Sequence, residues 1–173
     1  MIGKGKSISH GTAALEYDLA KEIDGQTAAI EIARHELYGC TGAEMVQEMK
    51  PYHADFPNVK NNCLRFEVSP SIEESATFTD ADWAELGNDF MQRMGLANHQ
   101  YIIIRHSGTE SKKEQAHLHI LANRVSLSGE LYRDNWIGKK ATEAANAIAK
   151  ERNFVQSQDI GKANKAEIKE AMD

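Results

Sequence analysis

Hydrophobic and polar positions alternate with two different periods along this chain. Leu15, Leu19 and Ile23 fall four residues apart in a proline-free stretch of good helix formers, which predicts a helix over Gly11 to Glu22. Thr41-Gly-Ala-Glu44 has the form of a capping box opening a short helix that runs through Met49 and stops at Pro51. Pro51 to Asn62 has the composition of a loop. Cys63 to Val68 (CLRFEV) alternates apolar with polar or charged side chains and reads as a half-buried strand. Thr79 caps a second helix whose Trp83, Leu86, Phe90 and Met94 share one face, with Gly95 where a left-handed terminator is expected.

Tyr101 to Arg105 (YIIIR) and His119 to Val125 (HILANRV) are aromatic and β-branched runs separated by the polar stretch Ser107 to Ala116. They predict two antiparallel strands joined by a long loop. An alanine-rich helix is expected from about Lys139 to Arg152, and the tail from Gln156 to Asp173 is polar, charged and weakly helical, in the manner of a connector. The pattern is that of an α+β domain over residues 1–155, with one mostly antiparallel central sheet and flanking helices, followed by a tail over 156–173.

Composition narrows the picture. At 173 residues, 41% hydrophobic and 27% charged, the chain suits one globular domain with a real core. No stretch is long and apolar enough for a membrane span, and MIGKGKSISHG lacks a signal-peptide core, so a cytoplasmic protein is expected. Cys40 and Cys63 are too few for a disulfide framework and lack the paired spacing of a zinc site. The net charge of −6 argues against wrapping nucleic acid by bulk electrostatics. A local basic strip can still hold DNA, because the potential along a groove matters more than the sum.

Histidine placement changes the picture further. His106, His117 and His119 lie within fourteen positions on the two central strands. Side chains on a strand repeat every two residues, so His117 and His119 share a face, and a hairpin through Ser107 to Ala116 puts His106 opposite His117. Three imidazoles so placed can converge on one ion and leave open positions for water or substrate oxygens. Two surface histidines flanking a core leucine are the commoner meaning of a lone His-x-His. His10, His35, His53 and His99 lack such placement and read as surface or structural residues.

The order of these segments resembles that of the relaxase, or mobilisation nuclease, family within the HUH endonucleases. The resemblance is carried by LRFEVSPS, then MQRMGL at a helix end, then QYIIIRH, then HLHILANRV. Upstream, IGKGKSISHGTAALEYDLAKE is similar to the family's N-terminal motif, in which a short strand and a basic glycine turn precede a helix bearing the nucleophilic tyrosine. Downstream, LYRDNWIGKKATEAANAIAKERN resembles the next strand and helix.

The resemblance implies a palm-like HUH architecture, a metal site at His106, His117 and His119, and Tyr17 as nucleophile. It also implies a magnesium or manganese ion and a single-stranded DNA substrate at a transfer origin, nicked and rejoined through a 5′-phosphotyrosyl link, with relaxosome accessory proteins as partners. A tyrosine in a helix more commonly packs half-buried, but the neighbours Ala13, Ala14 and Ala20 are small and leave this ring approachable. Lys4, Lys6, Arg124, Arg133, Lys139 and Lys140 are the candidate DNA contacts. The family's acidic residue two positions after the first histidine is Gly108 here, so Glu110 or Glu67 is expected to orient an imidazole instead. A rolling-circle replication initiator, whose tyrosine follows the His-x-His, and a non-catalytic DNA-binding accessory protein are the alternatives.

Overall fold

The computed structural model describes residues 1–172. A five-stranded antiparallel sheet is its centre, in the order β1-β5-β7-β6-β4, built from β1 (Ile2–Ile8), β4 (Ala29–His35), β5 (Cys63–Ser69), β6 (Tyr101–His106) and β7 (His117–Asn123). A two-stranded hairpin, β2 (Glu22–Ile23) and β3 (Gln26–Thr27), stands apart. The helices are α1 (Gly11–Leu19), α2 (Gly42–Met49), α3 (Ile72–Ser75), α4 (Asp80–Arg93), α5 (Ile137–Glu151) and α6 (Ser157–Met172). The α+β class, the antiparallel sheet and the flanking helices are those expected from the sequence.

Both faces of the sheet are covered, unequally. Phe66, Val68, Ile103, Leu118 and Ile120 point to one face and pack on Trp83, Leu86 and Phe90 of α4 and on Ala141, Ala145 and Ile148 of α5. Cys63, Ile102, Ile104 and Leu121 point to the other, beneath Leu15 of α1 and Met45 and Met49 of α2. The alternation explains why CLRFEV contains both apolar and charged residues: Arg65 and Glu67 share the second face with Cys63, toward the edge of the helical cover, where both are half-buried.

Capping chemistry sets the helix ends. Thr41 and Glu44 form the expected capping box at α2, and Thr79 with Asp82 forms another at α4. Gly95 follows α4 with φ +77°, the conformation in which glycine carries no Cβ penalty.

Four expectations need correction. The first helix ends at Leu19, not Glu22, because Asp24 and Gly25 take positive φ and turn the chain into the β2–β3 hairpin. Residues GKGK are not a turn but the body of β1. The glycines face α5, where a Cβ on Gly3 would stand 2.4 Å from the Ala141 carbonyl oxygen, and the lysines face the other way. Strand β4 went unassigned in the sequence, since it is a bulged edge strand with charged Glu31 and Arg34 and little burial. The tail is a regular helix, α6, with no buried residue.

Candidate active site

Strand pairing builds the histidine cluster. In the β6–β7 ladder His106 stands directly opposite His117, as the hairpin argument requires, and His119 is opposite Ile104. The three offer ligand nitrogens all within 4.8 Å of one another. His106 and His117 are buried and His119 is half-buried. His117 Nε2 and His119 Nε2 lie 3.1 Å apart. Two nitrogens each about 2.0–2.1 Å from a shared ion are separated by roughly 3.0 Å at a right angle and about 3.4 Å at a tetrahedral one, so the spacing fits a common cation.

Main-chain carbonyls orient the rings. His106 Nε2 donates to the Asp18 carbonyl at 2.8 Å, and His117 Nδ1 donates to the Gln115 carbonyl at 2.9 Å. A carbonyl only accepts, so in each ring the nitrogen left over is the one placed to bind an ion. Burial pushes the His119 pKa down to about 2, with His106, His117, Arg65 and Lys21 adding smaller repulsions. Burial also lowers that of His106. Both rings are therefore neutral at physiological pH, the form in which imidazole binds a metal.

The two carboxylates expected behind the histidines are placed differently. Glu110 is exposed in the 107–116 loop, whereas Glu67 pairs across the sheet with His119 and with Lys4. Gly108 has a packing reason: a Cβ there would lie 2.1 Å from the Lys113 carbonyl oxygen. An acidic side chain does not fit at that position, and the carbonyls of Asp18 and Gln115 take up the ring protons instead.

The helix bearing Tyr17 reaches this cluster through its last turn. Asp18 is 1% exposed and its carboxylate accepts from Arg65 NH2 at 2.5 Å and Arg65 Nε at 3.2 Å. Asp18 thus ties α1 to β5 with its side chain and to His106 with its carbonyl. Tyr17 itself is 61% exposed, with the Lys21 ammonium 5.6 Å from its ring centre. Three of the four other tyrosines have engaged hydroxyls: Tyr101 donates to Asn88, Tyr132 to the Met94 carbonyl and Tyr38 to Glu36, while Tyr52 lies in the short 50–53 helical turn outside the family's tyrosine-bearing helix.

Beside His119 lies a cleft of about 220 Å³ lined by Lys4, Lys6, Arg65, Glu67 and the backbone around them. Lys4, Glu67 and His119 form one cross-strand row, and Lys6 and Arg65 the next. Arg65 is neutralised by Asp18, so Lys4 and Lys6 against the carboxylate of Glu67 leave this face modestly basic in an acidic chain. Asp18 and Arg65 were not foreseen. The signal for Arg65 was its two-residue spacing from Glu67, which puts it on the histidine face.

The remaining basic candidates lie elsewhere. Arg124 is taken up internally, donating to the carbonyls of Tyr132 and Asn61 and pairing with Asp134 at 3.1 Å, so its donors are not free for phosphate. Arg133, Lys139 and Lys140 cluster around the start of α5; Lys140 donates to the Arg133 carbonyl and Lys139 lies 3.9 Å from Glu143. Of the other histidines, His53 and His99 bond Asn123 and His35 bonds the His99 carbonyl. These roles are structural.

An antiparallel sheet presenting a tri-histidine cluster beside a tyrosine-bearing helix defines the HUH class of nuclease. Residues 17–154 match the family model for the relaxase, MobA/VirD2-like, nuclease domain, and the chain belongs to that family. It is a nuclease domain of the DNA-nicking relaxase type or a related HUH type, and membership implies single-stranded DNA binding. Comparison with curated proteins gives no match. Among the described residues no helix is long and apolar enough to cross a membrane.

Proposed function

We propose that this domain nicks one DNA strand at a transfer origin and later rejoins it, initiating conjugative mobilisation of a plasmid or similar element. Tyr17 is the nucleophile, and His106, His117 and His119 hold a magnesium or manganese ion. The observation that carries this reading is the single residue Asp18, which follows the exposed Tyr17 and whose carbonyl holds the His106 ring. The helix that carries the nucleophile and the hairpin that carries the ligand set are thereby joined by a hydrogen bond.

In this reaction the Tyr17 hydroxyl oxygen attacks phosphorus, the tyrosine proton passes to solvent or a nearby base, and the 3′-oxygen leaves and is protonated. The products are a 5′-phosphotyrosyl link and a free 3′-hydroxyl, and the reverse attack restores the strand. The ion, when bound, would polarise the scissile phosphate and neutralise charge that develops in transfer. Lys4, Lys6 and Arg65 line the cleft through which the DNA backbone approaches. A replication initiator would use a tyrosine after the His-x-His. Tyr132 is the only one there, and its hydroxyl is engaged with Met94.

Nicking of a supercoiled plasmid carrying the element's own origin, with relaxosome accessory proteins supplied, tests the reading. Strand-specific open circles should form with magnesium or manganese and only when the origin is present. Equal nicking without the origin would overturn the transfer role.

A further inference from the structure

Trp136 breaks two local rules at once. It is the N-cap residue of α5, where Ser, Thr, Asp or Asn would supply an acceptor, and it makes no side-chain cap bond. Its backbone has φ +59° and ψ +27°, the left-handed region, which a bulky side chain adopts only under strain. Despite this, the indole is not buried: Trp136 is 78% exposed, so no core packing compensates for the conformation. Surroundings that fix such a residue without burying it point to a partner.

The position of Trp136 indicates what that partner is. Ser7 donates to Asp134 at 2.7 Å, and Gly138 lies against the Gly5 carbonyl, so the segment carrying Trp136 is anchored on both sides to the part of edge strand β1 that bears Lys6. Lys4 and Lys6 line the cleft beside His119. Arg133 and Lys139 are exposed on either side of the tryptophan in sequence. The start of α5 lies on the opposite side of β1 from Lys4 and Lys6, so a polyanion that leaves the histidine cluster over β7, β5 and β1 and turns round the β1 edge would meet these cations and then the indole.

We propose that Trp136 is a stacking platform for an unpaired base of the DNA strand, several nucleotides from the bond that is cut. The inference rests on the proposed function, whose substrate is a single strand with bases free to stack. Indole on nucleobase is sequence-tolerant and suits a strand held mainly by its backbone. The left-handed corner sets the direction in which the side chain leaves the backbone before DNA arrives.

The chain has two tryptophans, and Trp83 is 2% exposed in the core, so emission from Trp136 can be separated from it. Titration with a mixed-sequence single-stranded oligonucleotide should quench the solvent-exposed part of the emission saturably, and Trp136→Phe should abolish that quenching while keeping most of the affinity. Trp136→Ala should weaken single-strand affinity by about five- to a hundred-fold, the range spanned by base stacking. Heparin, a polyanion without bases, should bind with little quenching. Trp136→Gly should raise the melting temperature, through relief of strain, while weakening DNA binding. Binding of the oligonucleotide without quenching, unchanged affinity in Trp136→Ala, equal quenching by heparin, or undiminished DNA affinity in Trp136→Gly would each overturn the stacking role and leave the nuclease reading standing. Failure of the unaltered protein to bind single strands at all would remove both.

Discussion

His119 is the residue on which the proposed chemistry converges, because it faces the other two imidazoles and the basic cleft together. His119→Ala removes one ligand from a half-buried position, so the fold should persist while the site fails. In a thermal shift experiment, manganese should stabilise the unaltered protein and leave His119→Ala unmoved, since a ligand stabilises only the state it binds. Equal stabilisation of both would place the ion elsewhere. The same burial gives the metal-free protein a pH signature. His99, His106 and His119 all have folded pKa values held below the ordinary value near 6.5. As pH falls through about 6.5 the unfolded chain takes up these protons first, so stability should be constant above that value and decline below it. Asp82 and Glu151, whose carboxyls are lowered by Thr79 and Arg93 respectively, add losses only at more acid pH. A melting temperature unchanged between pH 7 and 5 would contradict the buried neutral rings.

At the scale of elements, α6 has no buried residue, whereas α5 is driven close to β1 by Gly3 and Gly5. We propose that the catalytic domain ends near residue 155, so that deleting 156–173 should move the melting temperature by no more than a few degrees and preserve nicking. A collapse of stability would show α6 to be an integral layer. The two central strands and the capped helices were legible in the sequence because each combined a clear period with a matching terminator, such as Thr41 with Glu44 or Thr79 with Gly95. The His106–His117 pairing was legible because the polar stretch Ser107 to Ala116 marks the hairpin connection and period two then puts His119 on the face of His117. Strand β4 was not, because an exposed edge has little need for apolar alternation. GKGK misled because glycine usually marks turns, whereas here two glycines make room for a helix. The Asp18–Arg65 pair joins residues 47 positions apart, and no local pattern announces it.

At the scale of the molecule, a net charge of −6 coexists with a cleft where Lys4 and Lys6 outnumber Glu67, Arg65 being paired with Asp18. If DNA binds through that cleft, affinity for a single strand should fall with salt at a logarithmic slope of about −1.4, roughly 0.7 for each of two neutralised phosphates. A flat response would mean that the acidic total, and not the cleft, governs binding. The fold brings together what the chain separates: an N-terminal tyrosine helix, a basic edge strand and a histidine hairpin meet on the one sheet face that the helices leave partly open. The claim that this meeting point cuts DNA covalently is tested most directly by Tyr17→Phe, which removes one oxygen from a residue already 61% exposed and so should leave stability and DNA affinity near normal. The protein is incubated with an origin oligonucleotide labelled at its 3′ or 5′ end, denatured, and resolved by electrophoresis. A denaturation-resistant band that retains the 3′ label and releases the 5′ label is expected from the unaltered protein and not from Tyr17→Phe. An adduct that survives the substitution would contradict the claim.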